Sequence, residues 1–249
     1  DLAGARWDKK EKLWRDGRNV IADIPLEEKL TDFQKTQRMV AKSGQAYIDR
    51  AAIKAHLAQL VSPIYGLDFE TVAPAIPPYN GLRPYQNLPF QASVHMLPGP
   101  AGPLQHFEFL DDGRQDPRPK MIDFLCSTIG KTGSVVAYAK GFEGGVLEKL
   151  VHVAGARGPD LLAMAARLWD VAEPFKKAWY AHPGFQGRWS IKAVLPTLVP
   201  SMKYEGMEIA EGTAAMRAYE RLMQPDVPDE ERTKIMADLK AYCGTDTLG

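Results

Sequence analysis

Cysteine is scarce in this chain of 249 residues: Cys126 and Cys243 are too few and too far apart for a disulfide framework or a zinc site, which fits a reducing compartment and makes cytoplasm the default location. No apolar run approaches the ~20 residues of a membrane span, and the polar start DLAGARWDKKEK is not a signal peptide. Net charge is also missing, with 31 basic residues against 31 acidic ones, so a case for nucleic acid must rest on a local patch. There is no internal repeat and no low-complexity tract. What remains is an ordinary globular composition, 45% apolar, long enough to bury the core of one or two domains. Both ends read as cuts within a longer protein.

The pattern changes near Ser62-Pro63. Before it, TDFQKTQRMVAKSG and YIDRAAIKAHLAQL place apolar residues at helical spacing, so residues 1–62 are expected to form a small helical segment. After it come three short strand-like runs, IYGLDFE, FQASVHML and LQHFEFL, separated by a Pro/Gly/Asn-rich loop and the turn PGPAG. These read as an antiparallel meander. PRPKMIDFLCSTIG then has helical spacing, SVVAY reads as a strand, and a helix is expected from about Glu143 to Ala154, with helices dominating to the end. A meander followed by alternating helix and strand predicts an α/β domain over 63–249, a mixed sheet with helices packed on it.

In LDFE, side chains alternate across the strand, so Asp68 and Glu70 leave one face while Leu67 and Phe69 leave the other. Two like charges ~4 Å apart repel by about 4 kcal/mol at an effective dielectric of about 20, so a buried pair shares a proton or holds cations. Hard divalent ions such as Mg²⁺ suit carboxylate oxygens. The alternative is that both acids are solvated at a loop mouth. Glu143 follows the strand SVVAY in GFEGG, where it either faces the same sheet edge or complements the dipole of its helix. On the last helix, Tyr242 and Asp246 are four residues apart and share a face, as a working pair or as a half-buried Tyr with an exposed Asp. Asp170, in RLWDVAEPF, reads first as the N-cap of a helix starting at Val171 and second as an outer-sphere acid. Asp111, Asp112 and Asp123 read as turn or surface residues, and His95, His106 and His182 as structural.

Asp-x-Glu on a first strand, an acid after Phe142 behind the fourth strand, and Tyr-x-x-x-Asp on a late helix resemble the three motifs of the DEDD superfamily of 3′-5′ exonucleases, which have a ribonuclease H-like fold. Tyr four residues before the Asp, with Ala241 five before it, is similar to the Tyr branch. SIKAVL, residues 190–195, is similar to a Ser-Leu-Lys helix start in ribonuclease D-like members, although Ser190 as a plain N-cap looks the same. The chain departs from the superfamily at Glu143, where Asp is usual. A closer resemblance runs along nearly the whole chain, through LDFETVAPAIPPYNGLRPYQNLPFQASVH, AYAKGFE, SIKAVLPTLVPSMKYEGMEI and YCGTDT. It is to an uncharacterised bacterial domain family often found behind a RecB-like nuclease module, in which Glu is the normal second-motif residue.

The resemblance implies a metal-dependent exonuclease acting on single-stranded DNA or RNA, with a RecB-like module as partner in the full-length chain and with the C-terminus of this one truncated. Asp68, Glu70 and Asp246 would hold one Mg²⁺ or Mn²⁺, Asp68 with a water-mediated Glu143 a second about 4 Å away, and Tyr242 would orient the attacking water. The loop from Pro77 to Pro89 interleaves Arg83 with Tyr79 and Tyr85, which suits phosphate and unpaired bases or else packs on the domain. Lys192, near a helix N-terminus, meets a phosphate or is solvated. The rival expectation is a weak or inactive nucleic-acid-binding scaffold of a larger nuclease.

Overall fold

A computed structural model describes residues 2–202, 208–209 and 211–248, the side chains of Thr245 and Asp246 excepted. Helices α1 (Trp7–Arg15) and α2 (Asp32–Ser43), the short strand β1 (Tyr47–Ile48) and helix α3 (Arg50–Leu57) come first. Strands β2 (Ile64–Val72), β3 (Leu88–Leu97) and β4 (Gln105–Leu110) follow, then α4 (Arg118–Thr128), β5 (Ser134–Ala137), α5 (Gly141–Val151), α6 (Gly158–Ala166) and β6 (Leu168–Asp170). Beyond these are α7 (Glu173–Lys176), β7 (Tyr180–Ala181), α8 (Ile191–Leu198), α9 (Gly212–Leu222) and α10 (Asp229–Leu248).

The chain forms two compact units, Asp1–Gln59 with Ala172–Lys203, and Leu60–Val171 with Tyr204–Gly249. The N-terminal helices thus share a unit with residues 172–203. In that first unit, α2 starts at a reciprocal cap: Thr31 Oγ1 accepts the Gln34 N–H at 3.2 Å, and Gln34 Oε1 accepts the Thr31 N–H at 3.1 Å. It ends where Gly44 takes φ 68°, a left-handed conformation open to glycine. β1 and β7 pair antiparallel, and Leu2, Leu13, Ile24 and Leu30 form a small core.

The second unit is built on a five-stranded sheet in the order β4-β3-β2-β5-β6. β2, β3 and β4 are antiparallel neighbours, as the meander predicts, and β2, β5 and β6 run parallel. Helices flank this mixed sheet, an α/β architecture consistent with a ribonuclease H-like fold.

Alternation along β2 fixes the two faces. Tyr65, Leu67 and Phe69 join Ala92 and Val94 of β3 in a core closed by α4, α5 and α6 through residues such as Leu125, Leu147 and Leu161. Each fully buried aliphatic or aromatic side chain there contributes roughly 1.5–3 kcal/mol. On the other face Val72, Leu88 and Phe90 pack against Tyr219 and Leu222 of α9 and Leu239 and Tyr242 of α10. Phe90 and Tyr219 stack with ring centres 4.0 Å apart.

A bulge divides β3 between these two cores. Glu70 pairs with Gln91, yet Thr71 pairs with Pro89, leaving Phe90 as the extra residue. From Leu88 to Met96 the side chains Leu88, Phe90, Ala92, Val94 and Met96 put apolar residues on every even position. The inserted residue changes the phase, so that Leu88 and Phe90 serve the α9–α10 core while Ala92 and Val94 serve the α4–α6 core.

Two local expectations are corrected. The helix expected over 143–154 is α5, Gly141–Val151. Helices do dominate the stretch after it, and the short strands β6 and β7 are added where each finds a partner strand distant in sequence. Asp111 is not a surface turn residue: it is 4% exposed, and its Oδ2 accepts the Tyr219 O–H at 2.7 Å and the Gly113 N–H at 2.8 Å. Gly113 sits at φ 79°, where a Cβ would lie 2.7 Å from the Leu222 carbonyl. Only glycine meets both demands.

Candidate active site

Asp68 and Glu70 leave β2 on the α10 side, opposite the dry core formed with α4 to α6. Glu70 is 8% exposed and Asp68 is half-buried. Their cross-strand partners are Ser93 for Asp68 and Gln91 for Glu70, and the next pair along is Gly66 with His95. β4 continues the row with Glu108 beside Ser93 and His106 beside His95. The middle of this face is therefore a polar surface, bounded at one end by the Val72–Leu88–Phe90 core.

Helix α10 covers it through polar contacts. Gln91 Nε2 donates to the Leu239 carbonyl at 2.9 Å, and Lys240 Nζ lies 2.9 Å from Glu108 Oε1. The Cys243 thiol, a weak donor, lies 3.7 Å from Asp68 Oδ2. Tyr242 is 2% exposed. A methyl group placed on Gly212, the first residue of α9, would lie 3.7 Å from Glu70 Oε2 and 4.0 Å from the Tyr242 hydroxyl, so phenol and carboxylate oxygens face one point. Asp246 is four residues beyond Tyr242 in α10, and its side chain lies outside the described residues.

Two histidines sit further along the same face. The rings of His95 and His106 stack with centres 4.3 Å apart, and His106 Nε2 is 2.9 Å from Ser93 Oγ. Burial, with the neighbouring His106, pulls His95 down to about 4. His95 is thus neutral at physiological pH.

The remaining acids come from the parallel strands. β2, β5 and β6 point the same way, so their carboxyl ends share one edge of the sheet, the edge where open α/β sheets place ligands. Glu143 is in the first turn of α5, which follows β5, and is 3% exposed. Asp170 is the last residue of β6, paired with Ala137. It does not cap a helix at Val171, since the next helix begins at Glu173 with Ala172 before it. Instead Asp170 Oδ1 accepts the N–H of Ala139 at 2.9 Å. Ala139 has φ 62°, a left-handed value costly for any residue with a Cβ, so Asp170 pins the strained turn that leads into α5 and Glu143. The Tyr138 phenol is raised by burial and then by Asp170.

The structure thus groups Asp68, Glu70, Tyr242 and Cys243 on one face, and puts Glu143 and Asp170 at the carboxyl ends of the parallel strands β5 and β6. Among the described residues, no set of three or more His, Cys, Asp or Glu side chains converges closely enough to hold a metal ion. The donors present on β2 are hard carboxylate oxygens, of the kind that suits Mg²⁺ or Mn²⁺.

The expected substrate contacts separate. Tyr79 is taken up by the fold, its hydroxyl donating to the Gln115 carbonyl at 2.7 Å and its ring packed beside Leu82 against the α9–α10 core. Arg83 and Tyr85 are exposed on the same loop. Lys192 lies in the first turn of α8, which belongs to the first unit. Sequence reasoning missed Gln91, Ser93 and Cys243, although the odd-numbered polar residues of β3 carry a readable period-two signal for the first two.

Comparison with known proteins gives one family model, described as Domain of unknown function (DUF2779), which matches residues 65–190. No curated protein and no solved structure matches the chain.

Proposed function

The chain belongs to the DUF2779 family, and from that footing we propose that it is a divalent-metal-dependent 3′-5′ exonuclease of the DEDD type, Tyr branch, hydrolysing phosphodiester bonds at single-stranded ends of DNA or RNA. The observation that carries the reading is the pair Asp68 and Glu70 on one polar face of β2, with the Tyr242 phenol brought to Glu70 by α10. In a longer chain a RecB-like nuclease module would deliver the strand.

Asp68, Glu70 and Asp246, with Glu143 through water, are the residues that would hold Mg²⁺ or Mn²⁺. When bound, such ions supply a nucleophilic water at neutral pH and neutralise charge on the leaving oxygen. The chain itself does the rest. Burial of Glu70 lowers the local dielectric and strengthens its attraction for a cation. Tyr242, fixed by packing in the α9–α10 core, presents its O–H toward the same point and orients a water there. The extra methylene of Glu143 relative to Asp is absorbed by a water-mediated contact more readily than by a direct one.

The test is an end-labelled single strand incubated with Mg²⁺ or Mn²⁺, comparing wild type with Asp68→Ala and Asp246→Ala. Each variant is expected to lose roughly a hundredfold in rate. Equal degradation by all three would assign the activity to something else. A second reading is a nucleic-acid-binding scaffold without cleavage, and a wild type that binds strands but never shortens them would select it.

A further inference from the structure

A cleft of about 430 Å³ in the second unit is lined by Arg83, Tyr85 and Gln86 from the loop after β2, by Arg118 from the start of α4, and by Lys149 and His152 from the end of α5. That volume is in the range of small-ligand sites. Its charge is one-sided. Arg118 is 6% exposed; its Nε and Nη2 bind Asp116, and Nη2 also donates to the Asn80 carbonyl at 2.8 Å. Nη1 has no acceptor among the described residues and lies on the side of Gly81, 4.0 Å from where a Cβ would stand. Arg83 and Lys149 have no ion-pair partner among the described residues. Asp116 offsets Arg118, so the surplus positive charge rests on Arg83 and Lys149.

Beside these cations an aromatic ring is held out to solvent. Tyr85 is 73% exposed and has φ 59°, with its N–H bonded to the Pro74 carbonyl at 3.0 Å. An exposed bulky residue in left-handed conformation is strained without any packing return, the kind of strain found where a side chain must be displayed. Fork-shaped guanidinium donors and an ammonium suit phosphate oxygens, and a free aromatic face suits an unpaired base.

We propose that this cleft binds a phosphate of single-stranded nucleic acid through Arg83, Arg118 and Lys149 while Tyr85 stacks on an adjoining base. It rests on the reading of the chain as a protein that handles single strands, and adds to it a subsite that involves none of the carboxylates. The test is fluorescence anisotropy of a labelled single-stranded oligonucleotide with the whole chain in EDTA, so that no cleavage enters. Arg83→Gln, Lys149→Gln, their double variant and Tyr85→Ala are compared with wild type, circular dichroism confirming the fold of each. The double variant is expected to bind at least about tenfold more weakly, with the log–log salt slope reduced by roughly 0.7 for each phosphate that is no longer neutralised. Tyr85→Ala is expected to weaken binding about tenfold with that slope unchanged. Inorganic phosphate and a nucleoside monophosphate serve as competitors and are expected to displace the strand only weakly. Variants that lose monophosphate binding but hold the strand like wild type would make this a small-phosphate site and overturn the proposal, as would a double variant within twofold of wild type. Cleavage with Mn²⁺ is scored separately. Normal binding by the double variant alongside wild-type cleavage sinks the cleft and leaves the nuclease; lost binding with no cleavage by any protein supports the cleft and sinks the nuclease.

Discussion

Tyr219 of α9 donates its phenol proton to Asp111, just past the end of β4, across 2.7 Å inside the second unit. The bond joins α9, packed on the Val72–Leu88–Phe90 core, to the chain as it leaves β4. Burial raises the Tyr219 phenol strongly, with Asp111 adding to the effect, so the phenol remains a donor at all ordinary pH.

Removing this donor is expected to cost about 1–3 kcal/mol, because Tyr219→Phe leaves a buried carboxylate short of a hydrogen bond. Urea denaturation measures it. A pH dependence follows from Asp111. Burial holds its carboxyl above the ordinary 3.8 even though Tyr219 and the Gly113 N–H pull the other way. A raised folded-state value means that this group's contribution to stability is fully present below the unfolded value and is lost as pH rises through the folded one. The stability of wild type relative to Asp111→Asn should therefore fall as pH is raised from about 3.5 through the folded titration, then level off. A relative stability that climbs with pH would contradict the assignment.

Asp170 acts on Glu143 through the backbone. Asp170→Ala removes the acceptor of the Ala139 N–H, freeing the turn before α5, and is expected to lower the kcat of the proposed exonuclease activity about tenfold with KM little changed. Asp170→Asn keeps an oxygen in the same place and is expected to retain activity. Equal loss in both variants would mean that the charge of Asp170, and not its acceptor geometry, matters.

The proposed binding of Mn²⁺ is testable without any substrate. At a hundredfold excess over Kd a ligand specific to the folded state adds about 2.7 kcal/mol, which for a chain of this size raises Tm by about 5 °C. Differential scanning calorimetry should find that shift in wild type and find it abolished in Asp68→Ala. An identical shift in the variant would place the ion elsewhere.

The sequence made the long-period features readable and hid the short ones. β2, β3, β4 and α4 stand out because apolar residues repeat at the spacing of their own backbone, and the sharing of one face by Asp68 and Glu70 follows from alternation alone. β6 has three residues, too few to express a period, and exists through pairing with β5, so Asp170 reads as a helix cap beside Pro174. Tyr79 and Tyr85 are indistinguishable in PYNGLRPYQNLP, yet one is anchored by a carbonyl contributed by Gln115 and the other is displayed. The bulge at Phe90 is invisible for a similar reason: an unbroken run of even-numbered apolar residues signals a single face, and only the three-dimensional pairing reveals two.

That extra residue turns β3 into two separable modules. Residues 91–97 could be exchanged with the matching length of another strand, with the acids opposite them rebuilt, while 88–90 stay locked into the packing under α9. A one-residue deletion at position 90 would erase the bulge and leave Leu88 opposite Val72, at the cost of the ring that stacks on Tyr219. Engineering of this sheet is therefore governed by blocks on either side of Phe90, and there the ring, not the register, is what a deletion forfeits.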